Sequence, residues 1–283
     1  MTKRILKWLL IVLSLGVLYH AGIYALFQYG VYSENNHVRI FTKSQVHWLE
    51  FVNALPRIAS EKQRTQETIT LAKVLMSADL SAPFKDREEY IRDAHTLLGT
   101  YLLEHHDLSV EDRFEVLFWK VKIANRALPY FKNDALSLET DVDELIGIAS
   151  SMPGTIDTPS LSAAYFEEAL FYGLYKRNPQ VAISSYEKAI SALAGKKEFE
   201  YARGYYPFYL GLIECGNNIS QGATDIISGL HFGEMNSNAM RIFLYDNLDM
   251  YLLQLERVIA KSKGNVCSSF LSDSFYQSLL HKE

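Results

Sequence analysis

What this sequence has little of says most about its class. Across 283 residues there are seven prolines and fifteen glycines, and long stretches contain neither. A sandwich of short strands needs many turn residues, so helices are favoured. Charged residues make up 22% and apolar residues 48%, a balance that excludes wholesale disorder. The common catalytic signatures are missing: there is no G-x-S-x-G, G-x-x-x-x-G-K-[ST], G-x-G-x-x-G, H-E-x-x-H or C-x-x-C. The chain is therefore read as non-enzymatic, with no cofactor and no metal.

The longest absence is of charge. Trp8 to Phe27 is a run of twenty residues without Asp, Glu, Lys or Arg. At ~1.5 Å rise per residue a helix of that length spans the ~30 Å hydrocarbon core of a bilayer. Lys3, Arg4 and Lys7 precede it, and Glu34 is the first charge after it. By the positive-inside rule the N-terminus stays in the cytoplasm and the remainder is exported. Tyr19, Tyr24 and Phe27 crowd the place where a signal-peptide cleavage site needs small residues, and no cysteine follows to take a lipid. Residues 1–28 are accordingly expected to be a cytoplasmic tip and an uncleaved transmembrane signal anchor. The chain would then be a single-pass cytoplasmic-membrane protein with its C-terminal domain in a periplasm or other extracytoplasmic space. Within the anchor Ser14, Ala21 and Ala25 share one helical stripe, where small residues admit a second helix. His20 lies past the middle of the span; it either faces another membrane subunit or is hydrogen-bonded near the interface.

The formal charge is −5, and three of the cations precede the anchor, which leaves −8 for the rest. An acidic domain is not drawn to phosphate backbones, so nucleic acid is not an expected partner. There are two cysteines, Cys215 and Cys267. They could form a disulfide in an oxidising compartment or stay as two separate buried thiols.

Behind a connector at 29–43, apolar spacing is helical throughout, so the fold class is all-α. An N-terminal helical subdomain is expected over 44–150. Val46, Leu49, Val52 and Leu55 recur at three-residue steps until Pro56 stops them. A helix from Ile58 to about Ala78 has a polar first half, Glu61 to Glu67, read as solvated. Asp86 with Glu89 and Ser109 with Asp112 are capped starts, the first for a helix ending near Glu104. A further helix is expected from Asp141 to Met152. The Pro- and Gly-bearing stretch at 151–159 either divides two subdomains or is only a loop between packed helices.

Over 160–283 helices come in pairs. Ser160 to about Lys176 is followed by Asn178-Pro179, a cap and a first-turn proline for a helix carrying Ala182, Tyr186 and Ala189 on one face. Glu198 to Cys215, closed by Gly216, precedes Ser220 to Phe232 with Ala223, Ile227 and Leu230. A long helix from Asn236 to about Lys261 and a short one carrying Phe270, Leu271, Phe275, Leu279 and Leu280 would close the end. Ala182, Tyr186 and Ala189, then Leu210-Gly211 and Ala223, resemble the tetratricopeptide-repeat superfamily and its Sel1-like relatives over about 160–232. Ala169-Leu170 stands where a large residue and glycine are typical, and Ala182 and Ala223 are forty-one residues apart against a repeat of ~34. The resemblance implies an α-solenoid of helical hairpins with C-terminal capping helices and a concave face that binds peptides or proteins.

Tyr201, Tyr205, Tyr206, Phe208 and Tyr209 form the densest aromatic run. Its four tyrosines are read as a partner-binding groove or as a helix packed on both sides. Glu104-His105-His106-Asp107 is metal-capable by type, but neighbouring histidines on a helix point about 100° apart; a solvated helix end is expected. Glu167-Glu168 is read as a surface-facing pair. Asn218-Ile219-Ser220 matches a glycosylation acceptor, relevant only in a eukaryotic secretory host. The expected function is a membrane-anchored interaction protein: a scaffold, assembly factor or accessory subunit of an envelope complex. Its partners would be proteins, one of them in the membrane. The alternatives are an envelope enzyme acting on glycan and a cleaved, exported binding protein.

Overall fold

The structure, a computed structural model, describes residues 11, 13–23, 25, 43–55, 59–76, 84–127, 135–151, 154, 156–196, 200–235, 267–274 and 277. Among them every regular element is a helix, apart from an isolated bridge residue at Ile156. The fold is all-α.

Helix ends are set by local chemistry. Helices α1 (Lys43–Ala54), α2 (Glu61–Met76) and α3 (Phe84–Glu104) lead into α4 (Val110–Ala127). At the start of α4 the Ser109 hydroxyl accepts from the Asp112 N–H at 3.1 Å and donates to the Asp112 carboxylate at 2.8 Å, which answers an orphan donor of the first turn. After α5 (Ala135–Ser151), α6 (Thr158–Leu170) begins where the Asp157 carboxylate accepts the Ser160 N–H at 2.8 Å. Helix α7 (Pro179–Ala192) begins where the Asn178 side chain accepts the Val181 N–H at 3.3 Å. Both place proline in the first turn, where its missing N–H costs nothing. Between α6 and α7 the Ser160-to-Lys176 helix widens to a π-turn at Phe171–Tyr175. There the Lys176 N–H reaches the Phe171 oxygen at 3.1 Å. Helices α8 (Glu200–Gly216) and α9 (Gln221–Met235) form the last hairpin, and a 3₁₀ turn at Ser268–Ser272 packs on α9.

The helices stack in chain order. Each packs on the next, and α2 on α4, α4 on α6 and the π-turn on α8 also touch across one intervening helix. Two cores result. Leu49, Val52, Ile69, Leu75, Leu98, Leu117, Ile123 and Leu145 belong to the first, and Phe166, Ala182, Ala189, Phe208, Leu212, Ile226 and Leu230 to the second. Phe171 belongs to the first core while Ala169 and Leu170 belong to the second. The helices flanking the 151–159 break thus pack on each other as neighbours. In the second core the α8–α9 crossing is close. A methyl group on Gly211 would lie 2.5 Å from the Gly222 oxygen and 2.6 Å from the Ile226 nitrogen, so only glycine lets the two backbones meet there.

Three expectations are corrected. Helix α5 starts at Ala135, not Asp141; Asp141 sits inside the helix and pairs with Lys120 of α4 at 2.7 Å. The polar half of α2 is not all solvated, since Thr65 and Glu67 are buried. Glu167 is buried and takes two hydrogen bonds from Asn125, so it is not surface-facing. Of the two readings of the aromatic run, Tyr206 and Tyr209, 3% and 4% exposed, take the packed one, in the second core between α6 and α8.

Among the described residues no helix is long and apolar enough to cross a membrane. The Trp8–Phe27 run lies partly outside them; its described part is helical at 13–23. Ser14, Ala21 and Ala25 are exposed there, His20 is half-buried beside the Tyr19 ring, and Ile23 joins the first core. The connector, the long helix expected at 236–261, Phe275, Leu279 and Leu280 lie outside the described residues.

Candidate functional site

A cleft of about 530 Å³ opens where the end of α1 meets α2 and α3. Helix α2 contributes Arg64, Glu67 and Thr68, and α3 contributes Tyr101, Glu104 and His105. Each trio has the i, i+3, i+4 spacing that puts three side chains on one helical face. Asn53 and Leu55 close the rim from α1.

Internal bonds hold the floor. The Thr65 hydroxyl lies 3.0 Å from the Tyr101 hydroxyl and donates to the Glu61 oxygen at 3.0 Å. The His105 ring stacks on Tyr101 with centroids 4.0 Å apart, and its Nδ1 lies 3.0 Å from the Tyr101 oxygen. Burial pushes the Tyr101 phenol above its ordinary pKa, so it stays protonated and can serve as a donor. Glu67, 3% exposed, accepts from the Gln63 amide at 3.1 Å. A buried carboxylate facing a cavity that also holds Arg64 suits a ligand with groups of both charge signs. No family model matches the chain, and neither a curated protein nor a solved structure is similar to it.

Of the residues named from sequence, Glu104 and His105 of the metal-capable cluster reach this cleft, as do Leu55 and Glu67, read there as an apolar-stripe residue and a solvated one. Among the described residues no three metal-ligating side chains come together. Tyr201 and Tyr205 belong to α8, but their side chains lie outside the described residues. Tyr206 stacks on Phe166, centroids 4.2 Å apart, while Tyr209 meets the same ring edge-on at 4.9 Å. The Tyr206 hydroxyl lies 3.3 Å from that of Ser162, which itself donates to the Ala189 oxygen at 2.8 Å. The aromatic run therefore ties α8 to α6.

Cys215 at the end of α8 is bonded to Cys267, fifty-two residues on, which fixes the 3₁₀ turn to the last hairpin. The neighbouring Glu214 carboxyl is buried and raised to about 7, first by burial and then by its hydrogen bond to Asp225 on α9. Sequence reasoning gave no site role to Arg64, Glu67, Tyr101 or Glu214. The signal that could have found the first two is that Arg64, Glu67 and Thr68 share one helical stripe with the buried Leu71 and Leu75.

Proposed function

We propose that the chain is a membrane-anchored, non-enzymatic helical-repeat protein serving as a scaffold, assembly factor or accessory subunit of an envelope complex. The observation that carries this reading is the stacking of α2 to α9, each on its neighbour, with α2 also on α4 and α4 on α6. Stacked hairpins of this kind make α-solenoids, which present long surfaces to proteins. The tetratricopeptide-like positions agree with it: Ala182, Ala189 and Ala223 are buried, and Gly211 is closed on by α9. The exposed apolar side chains of Leu13, Leu15, Val17 and Leu18 support an anchor. The Cys215–Cys267 bond supports an oxidising, extracytoplasmic location.

Purification from native membranes in mild detergent tests the proposal, with the wild type beside a version whose residues 1–28 are replaced by an unrelated anchor. A stoichiometric partner on both, or on the wild type alone, supports the scaffold; loss from the swapped version alone makes the anchor an interface. A partner on neither sinks it. A second reading, a glycan-directed enzyme, draws support from Glu67 and Glu104 sharing the cleft, since paired carboxylates can act as acid and base. It requires a hydrolytic activity that Glu67→Gln abolishes without disturbing assembly.

A further inference from the structure

Helix α1 is the first described element after the apolar stretch, and its two sides differ. Leu49 and Val52 are sealed in the first core. Trp48 and Phe51, three residues apart on the outer side, are 37% and 63% exposed. His47 and Glu50, paired at 3.2 Å, flank them. Leaving a Trp–Phe pair in water has a cost, and two features say what covers it.

The first is position. Ile23, near the end of the apolar stretch, is buried in the same core as Leu49 and Val52. The stretch and α1 therefore meet the same core. Fifteen residues separate Phe27 from Lys43, so α1 also follows closely in sequence on the point where the stretch would leave a bilayer.

The second is size. An aromatic side chain carries roughly 150–250 Å² of surface, so two part-exposed ones offer at most a few hundred Å². A specific protein–protein contact buries about 1,000 Å² or more. Two aromatic rings beside polar groups match instead the headgroup level of a bilayer, where an apolar body and a wet rim are both satisfied. The domain charge of −8 left after the N-terminal cations points to neutral rather than anionic lipid.

We propose that α1 lies in the membrane–water interface, with Trp48 and Phe51 inserted among the headgroups, as a second foot beside the anchor. This rests on the anchor reading above, and the test separates the two. The chain has three tryptophans, Trp8, Trp48 and Trp119. Trp8 begins the apolar run, Trp48 is on α1, and Trp119 on α4 lies between the Lys73 and Lys122 ammonium groups at 4.1 and 4.5 Å. Full-length single-tryptophan proteins (W48F/W119F, W8F/W119F and W8F/W48F) are reconstituted into phosphatidylcholine vesicles with acyl chains brominated near the headgroup. Trp48 should lose roughly half its emission while Trp119 is unchanged, and raising salt should not restore it. Adding Phe51→Asp to the Trp48-only protein should return the emission towards the Trp119 value. If Trp8 is quenched and Trp48 behaves as Trp119 does, the foot is overturned and the anchor stands. If neither Trp8 nor Trp48 is quenched, the anchor reading fails and takes this inference with it.

Discussion

The side-chain amide of Asn125 donates to Glu167 twice, at 2.8 Å to its backbone oxygen and at 2.9 Å to its carboxylate. Both residues are buried, and the contact joins α4 of the first core to α6 of the second. Asn125→Ala removes both donors from a buried charge. Unfolding in urea should show a loss of about 2–3 kcal/mol. A loss below about 0.5 kcal/mol, the scatter of surface substitutions, would mean the junction does not depend on this pair.

Gly211→Ala puts a methyl group into the backbone of α9, which cannot yield as a flexible side-chain tip would. The expected cost is about 2–3 kcal/mol in the same assay. Gly147→Ala is the control: Gly147 is exposed on α5 with nothing within 4 Å of the added carbon, so a gain of about 0.5–1 kcal/mol is expected there.

How much of this was open to reading in the chain depended on distance along it. Ser109 with Asp112, Asp157 with Pro159 and Asn178 with Pro179 act within three residues, so sequence reasoning recovers the starts of α4 and α7 and comes within two residues for α6. Glu67 and Glu167 were misplaced because polar residues are taken to face water unless a partner is known, and Asp141 because an acidic residue before an apolar run reads as a helix start. Two of their partners, Lys120 and Asn125, lie on α4, far from them in sequence. The cleft was invisible for the same reason. Arg64 and Glu67 gain a neighbourhood of Tyr101, Glu104 and His105 only when α2 and α3 pack.

Glu214 predicts a pH dependence with a definite sign. Its pKa rises from 4.5 to about 7 on folding, so the folded chain holds a proton that the unfolded chain has released. Stability should therefore fall as pH rises from about 4.5 to 7 and level off above that. Glu214→Gln cannot titrate and should flatten that part of the profile. Thermal midpoints of wild type and variant across pH 4–8 decide it; parallel profiles would refute the assignment.

Reducing the Cys215–Cys267 bond opens a closed loop of fifty-two residues. In the chain-entropy account such a loop contributes about 4 kcal/mol. Dithiothreitol should lower the thermal midpoint of the wild type and leave Cys215→Ala/Cys267→Ala unaffected. An unchanged wild-type midpoint would show that the bond is not formed in the protein as made.

Stacking each helix on its neighbour has a kinetic consequence. Almost every packed pair of described helices is one or two elements apart in the chain, so little loop-closure entropy is spent before contacts reward it. Hairpins such as α6–α7 and α8–α9 can form on their own schedule and then dock. The Cys215–Cys267 link is the exception, because its partners must find each other across fifty-two residues. Oxidation is thus set to come last, sealing an array that has already assembled.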